Sequence, residues 1–182
     1  MKNIKVLVIA ISISVFFEII FNYTLTEIDL QRSLYSILFH GSILIACILI
    51  AVIFKNSSFS RIYNFKKGLV ISIFFSLFIS LYFFSYHKWI KPELLENKRI
   101  LLIELSEKPE TLVNAKEKIN NNPDYYSGKS AEDLVEMQQD NINNLLKPSK
   151  IFPISLFSFL FIGMLFTMII SFLKYLFRNK IK

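Results

Sequence analysis

The chain has 182 residues, enough for one soluble domain, yet 53% are hydrophobic and they fall in long uninterrupted blocks, a distribution that excludes an ordinary water-soluble core. A formal charge of +7 would suit a nucleic-acid binder, but the basic residues flank the apolar blocks and are not interleaved with base-stacking aromatics; the partner they imply is a lipid bilayer, not nucleic acid. One cysteine, Cys47, excludes an intramolecular disulfide and a thiolate metal centre.

A helix rises about 1.5 Å per residue and the hydrocarbon core of a bilayer is roughly 30 Å thick, so a span takes on the order of 20 mostly apolar residues. The first such block runs from about Ile4 to Phe21 and is interrupted only by Glu18. Lys2 and Lys5 resemble the charged start of a secretory signal, but the apolar run is too long and lacks a convincing small-residue cleavage site, which predicts a retained anchor. A short loop with Glu27, Asp29 and Arg32 leads to the second block, about Leu34 to Phe54, which holds His40 and no formal charge. Lys55, Arg61, Lys66 and Lys67 separate it from the third, about Gly68 to Ile90.

The connector that follows, about 91–150, is too long for a turn and short for an independent domain. Pro92 and Glu93 have the form of a helix first turn and precede Leu94, Leu95 and the run Ile100 to Ile103, a helix that would continue span three. A second short helix is expected from Pro109 to Ile119, stopped by Asn120, Asn121, Asn122 and Pro123 and followed by a turn through Tyr125, Tyr126 and Gly128. Ser130 with Asp133 makes a capping-box start for a third, with Leu134, Met137, Asn141 and Leu145 on one stripe, ended by Lys147 and Pro148. The fourth apolar block runs from about Ile151 to Leu173. The fold class expected is all-α: an integral membrane four-helix bundle forming one membrane domain, with transmembrane helices at about 4–21, 34–54, 68–90 and 151–173.

Orientation follows from Lys and Arg in the short loops, because long loops cross with little regard to charge. Lys2 and Lys5, the four basic residues between spans two and three, and Lys174, Arg178, Lys180 and Lys182 put both termini and the middle loop in the cytoplasm. The connector is then extracytoplasmic, and its acidic residues slightly outnumber its basic ones.

Ionisable groups inside a membrane are costly and point to function by default. Glu18, His40 and His87 all fall near the outer ends of their spans, within about 5–9 Å of helix rise. Two imidazoles and a carboxylate at similar depth suit a proton relay or a divalent metal, though no local motif selects either. The plainer expectation is that His87, beside Tyr86, Lys88 and Trp89, anchors at the interface while Glu18 and His40 satisfy each other. Small residues recur every four positions as Gly68, Ser72, Ser76 and Ser80 in span three and as Gly163, Thr167 and Ser171 in span four. Such stripes let helices approach closely, so these spans should pack against each other or against a second subunit. No phosphate-binding glycine loop, HExxH or GxSxG occurs, and nothing calls for a catalytic residue, a metal or another cofactor.

Phe65-Lys66-Lys67-Gly68 opening span three, the Lys91-Pro92-Glu93 after it, and a hydrophilic connector leading into a glycine-containing last span resemble a domain-of-unknown-function family of small bacterial inner-membrane proteins with four spans and a long loop between the third and fourth. The resemblance implies a bacterial cytoplasmic membrane location and carries over no activity, ligand or site. The expectation is a non-enzymatic assembly or accessory subunit, partnered by itself or by other membrane proteins. The alternative is an oligomeric transporter or proton-coupled channel using Glu18, His40 and His87.

Overall fold

The computed structural model describes residues 2–24, 30–53 and 61–179, and every regular element among them is helical. Glu27, Asp29, Phe54, Lys55, Lys180 and Lys182, on which loop positions, charges and one span end were placed above, lie outside the described residues. In chain order the helices are α1 (Lys2–Thr24), α2 (Leu30–Val52), α3 (Arg61–Ser85), a π-helical turn (Tyr86–Ile90), α4 (Pro92–Ser106), α5 (Pro109–Asn121), α6 (Ala131–Leu145) and α7 (Pro148–Asn179). Four of them, α1, α2, α3 with its π turn, and α7, are long and apolar enough to cross a membrane. Apart from the π turn and the first residues of α7, they belong to one compact unit, Met1–Phe84 with Phe152–Lys182; Ser85–Ile151, which holds the connector, forms a second.

In the first unit the buried positions of α3 recur every three to four residues: Asn64, Gly68, Ile71, Ser72, Phe75, Ser76, Ile79 and Ser80. Between them the helix turns Val70, Ile73, Phe74, Phe78 and Leu81 outward. Five of these eight inward residues are small or polar and all of the outward face named is large and apolar, the reverse of a water-soluble helix. That inversion is what a hydrocarbon solvent selects, since lipid does not drive apolar side chains inward and close packing of small residues holds helices together instead. Leu44 and Ile48 of α2, Phe75 and Ile79 of α3, Phe159 and Ile170 of α7 and Ala10 of α1 form one apolar cluster.

All four apolar helices begin before their expected apolar blocks, α3 and α7 with the clearest causes. Helix α3 starts at Arg61, seven residues before the expected span, because nothing from Arg61 to Lys67 breaks a helix and long basic side chains reach water from a helical turn. Helix α7 starts at Pro148, whose fixed φ and missing N–H suit a first turn. Pro153 costs it one further backbone bond, yet the helix runs on.

The second unit is organised by its helix ends. The expected continuation of span three into the connector is broken at Lys91, which sits at φ −139° and ψ 68°. The ring of Pro92 disfavours helical geometry at the residue before it, and the Lys91 N–H closes a π-type bond of 2.9 Å to the Tyr86 carbonyl. Helix α5 opens on Pro109 and ends before Asn122, and Gly128 turns the chain at φ +76°, a left-handed conformation that favours glycine. At α6 the capping box is complete: the Asp133 N–H donates to Ser130 Oγ at 3.1 Å and the Ser130 N–H donates to Asp133 Oδ2 at 2.7 Å. Arg99 of α4 donates to Asn143 of α6 at 2.8 Å, and Gln139 of α6 donates at 3.2 Å to Ser106, which is buried and itself donates to the Ile103 carbonyl. Helix α6 thus packs on both α4 and α5.

Candidate functional site

Glu18 and Ser14 lie one turn apart on α1, and His40 and Ser36 one turn apart on α2, so each helix presents a two-residue polar patch. The first two helices pack against each other, and their patches meet. Ser36 Oγ donates to Glu18 Oε2 at 2.7 Å. The Ser36 backbone carbonyl accepts from His40 Nδ1, also at 2.7 Å, which fixes the imidazole proton on Nδ1 because a carbonyl only accepts. One serine therefore bridges the carboxylate and the imidazole. All three side chains are buried, His40 completely.

The other ring nitrogen of His40 has an apolar setting. Phe39, Phe83, Phe159 and Phe17 surround the imidazole with centroids 5.1–6.5 Å away, contributed by all four helices of the unit. Within that box Nε2 has no hydrogen-bond partner among the described residues, and neither does the buried hydroxyl of Ser14. With the proton on Nδ1, the Nε2 lone pair is a hydrogen-bond acceptor held out of water. His87 is placed in the other unit, in the π turn, where its ring stands edge-on to Tyr86 at 5.6 Å. No group of three or more metal-ligating side chains comes together among the described residues.

The small-residue stripes of α3 and α7 face each other. A Cβ added to Gly68 would lie 2.6 Å from Thr167 Cγ2, and one added to Gly163 would lie 2.6 Å from both Cβ and Oγ of Ser72. Ser72 and Thr167 hydroxyls stand 3.5 Å apart, and Ser72 also donates to the Gly68 carbonyl at 2.9 Å. Further along, Ser76 and Ser80 on α3 and Ser171 on α7 are buried, with hydroxyls that have no partner among the described residues.

Two features were not foreseen from the sequence. Ser36 was overlooked as the bridge, although serine and histidine four apart on a span are a visible signal. The sequence alone places Lys67 in the loop before span three and Lys174 in the C-terminal tail. In the structure Lys67 donates to the Ala51 carbonyl and Lys174 to the Val52 carbonyl, so α3 and α7 both satisfy the last turn of α2, where carbonyls lack helical partners and the dipole is negative.

No curated protein and no solved structure matches the chain. Residues 6–174 match the family described as Protein of unknown function (DUF4199), a stretch that takes in all four apolar helices and the connector between the third and fourth. The chain belongs to that family.

Proposed function

We infer that this protein is a non-enzymatic membrane subunit that assembles with itself or with other membrane proteins, its bundle acting as anchor and its connector as the presented surface. The observation that carries this role is the connector's organisation into its own three-helix unit, with Val113, Met137, Leu145 and Tyr125 exposed on it. The glycine stripe is occupied within the chain, which leaves the connector as the better surface for association. Lys and Arg beside the spans support cytoplasmic termini and an extracytoplasmic connector, and the family resemblance supports a bacterial cytoplasmic membrane. Purified from its own membrane in mild detergent, the chain should arrive with one reproducible partner or as a homo-oligomer. Val113→Asp with Leu145→Asp should disperse that complex while leaving the helical content unchanged. A monodisperse monomer from the wild-type membrane would sink the idea.

A proton-coupled role is the second possibility, favoured by the Glu18–Ser36–His40 bridge and the bare Nε2 of His40. Glu18→Gln and His40→Ala should then each abolish a proton-driven flux in reconstituted vesicles. Full flux in both variants would leave the bridge a purely structural element.

A further inference from the structure

The end of the bundle where α2 stops and α3 starts gathers cations from different helices. Ammonium groups of Lys67 and Lys174 sit on successive carbonyls of α2, so α3 and α7 bring them to the same place. The guanidinium of Arg61 lies 5.2 Å over the ring of Phe172 on α7. The antiparallel register that sets Gly68 on Thr167 and Gly163 on Ser72 puts Asn64 level with Ser171, one turn nearer that end. Both are buried, at 4% and 2% exposed, and the Ser171 hydroxyl and the Asn64 amide oxygen have no hydrogen-bond partner among the described residues. No acidic residue occurs between Leu30 and Pro92 or between Asn141 and Lys182, so the charge there is of one sign. The outward faces of the same helices are apolar, with Val70 and Ile73 on α3 and Ile169 on α7 exposed.

We propose that Arg61, Asn64, Lys67, Ser171 and Lys174 form a binding site for the phosphodiester headgroup of an anionic phospholipid. The cations neutralise the phosphate, the Ser171 hydroxyl donates to it, and the Asn64 oxygen accepts from a headgroup hydroxyl. Acyl chains lie on the apolar outer faces of α3 and α7. Basic residues gathered between membrane helices at one end of a bundle are the arrangement that binds anionic headgroups. Nothing in this proposal depends on the assembly role above.

The test is thermal unfolding of the full chain in a neutral detergent, with phosphatidylglycerol, phosphatidylcholine or inorganic phosphate added separately. Phosphatidylglycerol should raise the melting temperature on the order of 5 °C, while the other two leave it unmoved. Lys67→Gln with Lys174→Gln should remove the shift, measured from that variant's own baseline. Those lysines also satisfy α2, so Arg61→Gln with Ser171→Ala, which leaves the lysines in place, gives a second reading if the first variant does not fold; it should at least halve the shift. Lys116→Gln with Lys118→Gln, an equal charge change on exposed positions of α5, should retain it in full. An equal shift with phosphatidylcholine, a shift from inorganic phosphate alone, no shift at all, retention of the shift in both site variants, or its loss in the α5 control would each overturn the site.

Discussion

The two units of this chain are both helical, but different residues hold each of them together. In the bundle, α3 buries Ser72, Ser76 and Ser80 and exposes Phe74 and Phe78; in the connector, α6 buries Ala131 and exposes Glu132, Asp133 and Glu136. The bundle is held by close approach, with Gly163 and Ser72 so near that a methyl group has no room. The connector is held at its edges, by a complete capping box at Ser130, proline first turns at Pro92 and Pro109, and side-chain bonds from Arg99 and Gln139. Two solvents explain the contrast. In lipid, backbone groups must bond within the helix and association depends on packing; in water, helix ends and buried apolar area decide whether a short helix persists.

The largest effect should come from filling the glycine contact. Gly163→Ala places a Cβ against Ser72 Cβ, an atom next to the backbone that cannot swing aside, and against Leu44 Cδ2 at 3.3 Å. Overpacking of this kind costs about 1–3 kcal/mol. Gly163→Ala should lower the unfolding midpoint clearly, and Ser72→Gly in the same chain should recover part of it. A wild-type midpoint for Gly163→Ala would show that α3 and α7 do not pack through this seam.

The connector should respond to its caps. Ser130→Ala removes the acceptor for the Asp133 N–H and should weaken α6 by about 1 kcal/mol. Amide exchange is the measurement: α6 should exchange faster from Ala131 onward while α3 is unaffected. Uniform acceleration through both would mean that the units do not open separately.

How far the sequence disclosed this contrast depends on which interactions are local. Block length and the four-residue spacing of Gly68, Ser72, Ser76 and Ser80 are properties of one segment, as is Ser130 with Asp133, and each is readable without a partner. The Ser36 bridge is not, because it needs the register of α1 on α2, and no residue in either span encodes that register alone. The bonds of Lys67 and Lys174 are hidden for a related reason: the helices run past their apolar blocks, and only the position of Ala51 and Val52 reveals what these loop and tail ammoniums reach.

Acid should reach the connector through the same cap. The backbone N–H of Ser130, and next its side chain, hold the Asp133 carboxyl below its usual value of 3.8. A carboxyl depressed in the folded state contributes stability that is present above the unfolded value and is lost as the pH falls through the folded one. The protection of α6 should therefore be flat from neutral pH down to about 4 and decline below it. In Asp133→Asn that decline should be smaller. An identical acid profile in the variant would assign the loss to other carboxylates.

The smallest effect separates two bonds of one side chain. Arg99 pairs with Glu96 on its own helix and with Asn143 across the unit, and the Arg99 hydrogen bond holds the exposed Glu96 carboxyl below its ordinary range. A pair this exposed is screened by water and salt, and its two partners are already neighbours on one turn of α4, so it adds little to the fold. The Asn143 bond joins α4 to α6, which are distant in sequence, and its loss removes a tie between them. Glu96→Gln should leave the connector's amide exchange within the scatter of replicates at 0.15 M salt. Arg99→Met should accelerate α6 measurably under the same conditions. If Glu96→Gln equals Arg99→Met, the ion pair and not the cross-helix bond holds this edge, and the connector is stabilised by surface charge more than by its packing.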